Sequence, residues 1–169
     1  MGLPAGKNPI RLNLGAGRRQ FPGYLSVDIG GVAGAPPPDI KADVRKIPLE
    51  PGTVDEIVAI HLFEHLPRWE CESTLAHWHA LLKPGGLLVL ELPDLVKCCE
   101  NILKGMDERA GLWGLYGDPG YMTEPMCHRW GWSAVTLSQA LTAAGFKKIK
   151  VKPPIFHKKY RDMRLESYK

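Results

Sequence analysis

Residues 54–93 carry the pattern that most narrows the folds open to this chain. VDEIVAIHLF (54–63) reads as a strand, bounded before it by Pro51-Gly52. A helix follows over 68–83, because Cys71, Leu75, Trp78 and Leu82 recur on one face at helical spacing. Lys83-Pro84-Gly85-Gly86 ends it. LLVLELP (87–93) is then an almost unbroken apolar run, as a strand covered on both faces requires. Strands that alternate with helices in this way form a mostly parallel sheet with helices packed against it.

The alternation extends to both sides. IRLNLG (10–15), YLSVDI (24–29) and a weaker IKADV (40–44) read as strands. GGVAGAPPPD (30–39) must be loop, since consecutive prolines neither pair in a sheet nor extend a helix. Short helices are expected over 95–104 and 133–144, the second with Ser133 as N-cap and Gly145 past its end. FKKIKVK (146–152) and YRDMRLES (160–167) read as an antiparallel C-terminal hairpin, residues 1–9 as a loose arm, and 105–132 as irregular chain. The expected class is α/β, a doubly wound Rossmann-like sheet. The length of 169 residues suits one domain spanning 1–169.

Hydrophobic residues at 44% and charged residues at 24% argue against disorder. The net charge of +4 is unevenly placed. Residues 147–169 hold seven Lys, two Arg and two acids, a local balance of +7. Such a run is most simply a solvated edge hairpin, and secondarily a surface for an anionic partner. Cysteines at 71, 98, 99 and 127 show no CxxC spacing, so neither a disulfide framework nor a zinc knuckle is expected. No apolar stretch reaches signal-peptide or membrane-span length, and a cytoplasmic protein is expected.

In a parallel sheet, ligands bind beyond the carboxyl ends of the strands. Gly15-Ala16-Gly17 follows the first strand, where glycine permits a tight turn and close approach of a ligand. Position 20 is Gln, so the third glycine of the dinucleotide fingerprint is missing and a pyrophosphate cradle is disfavoured. Asp28 ends the second strand, where a carboxylate can accept from vicinal ribose hydroxyls. Asp43 ends the third and can accept from an exocyclic amine such as that of adenine. Each alone could be a turn Asp; the ordered set is more specific.

With these residues in place, the chain resembles the class I S-adenosylmethionine-dependent methyltransferases, most nearly the small type-11-like members. LNLGAG resembles their first motif, VDI the ribose-binding strand end and ADVRKIP the adenine-binding segment. VDEIVAIHLFEHL resembles the fourth-strand motif, and LLKPGGLLVLELPD the segment leading into the fifth strand. The resemblance implies a seven-stranded sheet with an antiparallel end and S-adenosylmethionine as cofactor. It implies that Gly15, Ala16 and Gly17 line the methionine part, and that Asp28 with Ile29 meets the ribose. Asp43 with Val44 would meet adenine, and His61 with Leu62 would flank the sulfonium. Only Ala16 to Gly23 separate the first two strands, so their crossover helix is reduced to a turn, and the usual helix before the first strand is absent. A partner subunit in a homodimer, or the 105–132 segment, is expected to complete the pocket.

Two further features bear on chemistry. His61-Leu62-Phe63-Glu64-His65 fits HxxEH, a zinc-protease pattern that must lie on a helix to put both histidines on one face. Here it continues a strand and Pro67 follows closely, so no metal is expected. His65 is read as a packing or capping residue and His61 as the functional one. Residues 113–132 hold Trp113, Tyr116, Tyr121, Trp130 and Trp132 on a glycine-punctuated stretch suited to a substrate lid. His128 lies within it and is the candidate general base for a hydroxyl acceptor. The expected function is methyl transfer to an O or N atom of a small-molecule or glycan-type acceptor. The alternatives are a nucleic-acid methyltransferase and a non-catalytic S-adenosylmethionine-binding module. HLFEH stands where a Pro-Pro-Tyr-type amine-binding motif would, which counts against the former.

Overall fold

Seven strands run in the order β3-β2-β1-β4-β5-β7-β6 in a computed structural model that describes residues 9–30 and 33–169. The strands are β1 (Arg11–Leu14), β2 (Leu25–Asp28), β3 (Ile40–Lys41), β4 (Val54–Ile60), β5 (Leu82–Pro93), β6 (Lys147–Lys152) and β7 (Asp162–Tyr168). β3 to β5 across the sheet are mutually parallel, and β7 runs antiparallel to both β5 and β6. The helices are α1 (Arg68–Leu81), α2 (Leu95–Leu103), α3 (Leu112–Tyr116) and α4 (Ala134–Ala143). Of the arm expected over 1–9, only Pro9 falls within the described residues; Gly31 and Val32 of the 30–39 loop also lie outside them.

One face of the sheet carries the main core. Leu12 and Leu14 of β1, Leu25 and Val27 of β2, Ile57 and Ala59 of β4, and Leu88 and Leu90 of β5 all point to it, as period-2 alternation demands. α1 answers with Cys71, Leu75, Trp78 and Leu81, and α4 with Leu137 and Leu141. Truncating one such leucine costs roughly 2–5 kcal/mol. Trp78 also ties α1 to the chain after β3, its Nε1 donating to the Val44 carbonyl at 2.8 Å. α4 starts where Ser133 and Thr136 form a reciprocal capping box.

The opposite face has a small cluster of Val58, Ile60 and Val89, covered by Phe21 and Tyr24 from the β1–β2 connection. No helix lies within residues 15–24, so aromatic side chains do the covering that a crossover helix otherwise would. Phe156 of the β6–β7 loop joins them, its ring 4.9 Å from that of Phe21. Glu91 fixes that loop: wholly buried on β5, it accepts from the amides of Ile155, Phe156 and His157 at 2.9, 2.7 and 3.0 Å.

Three local differences from expectation have physical causes. The strand expected over 40–44 stops at Lys41, because Asp43 caps a 3-10 turn (Val44–Lys46) by accepting from the Arg45 amide. The strand expected over 54–63 stops at Ile60, because His61 takes φ of 51° and the chain closes a 3-10 turn at Phe63–His65. The irregular 105–132 stretch contains α3 and two 3-10 turns, Pro119–Tyr121 and Glu124–Met126. The lysine-rich segment forms β6, an exposed edge strand with Lys147, Lys148, Lys150 and Lys152, where charge deters pairing with another chain.

Candidate functional site

The order of strands reverses between β1 and β4, and the candidate site lies beyond their carboxyl ends. Gly15 and Gly17 both hold positive φ, 60° and 47°. A Cβ on Gly15 would stand 2.7 Å from Leu62 Cδ1, so a larger residue there must displace the Leu62 side chain as well as take a positive φ. At Gly17 a Cβ would meet nothing within 4 Å, which leaves the backbone bare toward open space.

Asp28 organises this turn. Its Oδ2 accepts from the Gly17 amide at 2.9 Å and its Oδ1 from the Gly30 amide at 2.8 Å. Each oxygen retains a second lone pair. The carboxylate lines a cleft of about 150 Å³ together with Ala16, Gly17, Gln20, Gly30 and the Ala35–Pro38 stretch. The prolines thus form a rigid wall of the cleft, a role that their reading as loop does not reveal. Ile29 lies beside it with its side chain exposed.

Asp43 is placed differently. It is not among the cleft-lining residues. Its carboxylate is taken by the Arg45 guanidinium, which also pairs with Glu70 of α1. The Arg45 contact holds the Asp43 carboxyl below its ordinary range. The two strand-end carboxylates therefore do not share the cleft: Asp28 faces it, and Asp43 anchors the turn after β3 to α1. Val44 is buried, with its carbonyl occupied by Trp78.

His61 sits between two buried carboxylates. Its Nδ1 lies 3.1 Å from Glu64 Oε1 and its Nε2 3.3 Å from Asp162 Oδ2. Burial opposes a charge on the ring, but these acids prevail and raise its pKa to about 9. The imidazole of His157 stacks on it at 3.9 Å, and burial, with the His61 charge next, pushes that ring down to about 4. Arg161 completes the group, donating to Asp162 at 2.8 Å. His61 is thus flanked by two acids that favour its charged form, with Nε2 toward Asp162 and Nδ1 beside Glu64.

His128 has the opposite character. It is largely buried, and burial lowers its pKa, so the ring is neutral. Its Nδ1 lies 2.9 Å from the Gly114 carbonyl, which can only accept, so Nδ1 carries the proton and Nε2 the lone pair. Nε2 is 3.9 Å from Glu64 Oε1. The aromatic segment around it divides. Trp132 is core, with its ring centroid 5.3 Å from that of Phe63, whereas Tyr116, Tyr121 and Trp130 are exposed. Glu64 is marked by the HxxEH spacing, but His157 and Asp162 carry no strand-end or spacing signal for this constellation; the insertion of β7 beside β5, with Asp162 opposite Pro93, brings them in.

Residues 13–151 match the family described as a methyltransferase domain. The chain belongs to this family. It is a methyltransferase-domain protein. The methyltransferase is similar in fold to a SAM-dependent methyltransferase of Archaeoglobus fulgidus, with a TM-score of 0.68 at 17% identity over 96% of this chain and 87% of that one. A Thermotoga maritima protein described as a possible histamine N-methyltransferase gives 0.64 at 15% identity, covering 98% and 83%. Human N-acetylserotonin methyltransferase gives 0.61 at 18% identity, covering 95% of this chain and 47% of that larger one. No curated protein matches the chain. Among the described residues, no helix of the methyltransferase is long and apolar enough to cross a membrane. The bare glycine turn and the Asp28 carboxylate on the cleft fit a nucleoside with vicinal hydroxyls and a zwitterionic amino-acid tail.

Proposed function

We propose that the methyltransferase transfers its methyl group to an oxygen or nitrogen atom of a small-molecule or glycan-type acceptor. Asp28 accepts from the ribose hydroxyls, and Gly15, Ala16 and Gly17 run along the methionine part. The cofactor supplies an electrophilic methyl group on a sulfonium. Leu62 packs against Gly15 behind the turn. His61, locked as an imidazolium between Glu64 and Asp162, holds the post-β4 turn in one shape. His128 presents the lone pair that draws a proton from a hydroxyl acceptor, and Tyr116, Tyr121 and Trp130 offer exposed aromatic surface for the acceptor to pack on. Holding acceptor and methyl group in line can lower the barrier by about 7–11 kcal/mol.

The observation that carries this reading is the Asp28 carboxylate, fastened to Gly17 and Gly30 while facing the cleft. The test is calorimetric binding of S-adenosylmethionine together with release of S-adenosylhomocysteine across hydroxyl, amine and glycan acceptors. Binding with turnover on one of these classes supports the reading. Turnover confined to RNA or DNA overturns the acceptor class, and binding without any turnover returns the chain to a non-catalytic module. His128→Ala should reduce turnover at least tenfold while cofactor affinity stays within twofold.

A further inference from the structure

Glu64 is a buried carboxylate without directed partners. It is 2% exposed, and neither of its carboxylate oxygens accepts a hydrogen bond from any described residue. The 3.1 Å approach of His61 is an ion pair that lies off the hydrogen-bond direction. A buried acid with open accepting capacity ordinarily meets a partner.

Each of the two imidazoles beside it is held by a backbone carbonyl. His65 Nδ1 lies 3.2 Å from the Cys127 carbonyl, and His128 Nδ1 lies 2.9 Å from the Gly114 carbonyl. Each carbonyl can only accept, so each ring holds its proton at Nδ1 and keeps a lone pair at Nε2. Outer carbonyls of this kind fix the tautomer and heading of metal-bound histidines. The two rings meet edge to face at 4.7 Å, and one ligand atom from each of Glu64, His65 and His128 lies within 4.8 Å of the others.

We propose that Glu64, His65 and His128 bind one divalent transition-metal ion of the zinc class. Two imidazoles and one carboxylate are a borderline-soft donor set that suits zinc and leaves a position open to a further ligand. His61 lies outside the set, with its Nδ1 3.1 Å from Glu64 Oε1. A neighbouring group, His61 with His157 and Asp162, is also close enough for a cation. There, however, Asp162 is already committed to Arg161, the Lys158 amide and His61. The HxxEH spacing points to His61 and His65 as the paired ligands, which a helix would require. The turn instead sends His61 to Asp162 and lets His128 arrive from the loop before α4. If the methyl-transfer reading holds, on which this last step rests, the open position takes an acceptor oxygen, and the ion makes its hydroxyl more acidic. The proton leaves to water because His128 Nε2 is then a ligand, and the oxygen bonds the methyl carbon as the carbon–sulfur bond breaks and S-adenosylhomocysteine departs.

The test uses the full chain stripped with chelator and titrated with zinc by calorimetry, with the visible spectrum of the cobalt-loaded protein as second readout. The expected result is one equivalent of zinc and the absorption of four- or five-coordinate cobalt. His65→Ala and His128→Gln, shown folded by circular dichroism, should each weaken zinc binding at least tenfold. S-adenosylmethionine affinity, measured in the same samples, should remain within twofold. Wild-type protein that takes up no zinc overturns the site, and so does unchanged affinity in both variants. Loss of the ion in Cys127→Ser with retention in His65→Ala would also overturn it, by placing the ion on the thiol. Cofactor binding without zinc leaves methyl transfer standing and removes the ion; zinc binding without cofactor does the reverse.

Discussion

Asp28 Oδ2 accepts from the Gly17 amide at 2.9 Å, so one carboxylate both shapes the glycine turn and faces the cleft that the turn lines. Hydrogen bonds to charged groups contribute about 1.5–3 kcal/mol. Asp28→Ala should therefore weaken S-adenosylmethionine binding at least tenfold by calorimetry. Asp43→Ala, which removes an ion pair to Arg45 outside the cleft, should weaken it less than Asp28→Ala does. Equal losses in the two variants would return Asp43 to the cofactor.

Gly15 is held against Leu62. Gly15→Ala brings a Cβ to 2.7 Å from Leu62 Cδ1 at a backbone φ of 60°. Overpacking of this kind costs roughly 1–3 kcal/mol, and the positive φ adds to it. The thermal midpoint should fall, and the double variant Gly15→Ala, Leu62→Ala should recover part of the loss. A midpoint equal to wild type in the single variant would show that the turn is not packed this way.

His61 sets a pH limit on stability. Its pKa is raised in the folded protein to about 9, above its unfolded value near 6.5. A group raised on folding contributes stability that is complete below the unfolded pKa and lost as pH climbs through the folded one. The thermal midpoint should thus decline between about pH 6.5 and 9, and His61→Gln should flatten that slope. His157 has the opposite sense: buried as the neutral ring with its pKa near 4, it makes the fold lose stability as pH drops below about 6.5. A slope in His61→Gln equal to wild type above neutrality would separate His61 from the effect.

Glu91 holds three backbone amides of the β6–β7 loop. Glu91→Ala strands those donors, each at about 1–3 kcal/mol if it stays buried, so the loop should come free. Hydrogen exchange at residues 155–157 should accelerate at least tenfold while α1 stays protected. Matching acceleration in α1 would mean global unfolding instead of release of one loop.

The sheet, its helices and the glycine turn were legible in the residues because their signals are local. Cys71, Leu75 and Trp78 write a helix within a few turns, although it ends at Leu81 and Leu82, read as its next apolar position, opens β5; LLVLELP writes a buried strand within seven positions. That Asp28 lies beside the glycine turn, lining the cleft, could be read from its position at a strand end alone. Asp43 could not, because whether a strand-end acid faces a ligand or an arginine depends on where α1 carries Glu70 and how Arg45 bridges the two.

Local chemistry was settled by the order of residues: which segments pair as strands, where glycine must bend the chain, and that the fold belongs with methyl-transferring sheets. The protonation of His61 and the meeting of Glu64, His65 and His128 were settled by packing. β7 enters between β5 and β6 and sets Asp162 beside His61 across 101 positions of chain, and the loop before α4 returns His128 to Glu64. Neither encounter has a period or a spacing, since each is fixed by the course of the whole sheet, and a charge on an imidazole depends on which acids the completed fold leaves within reach.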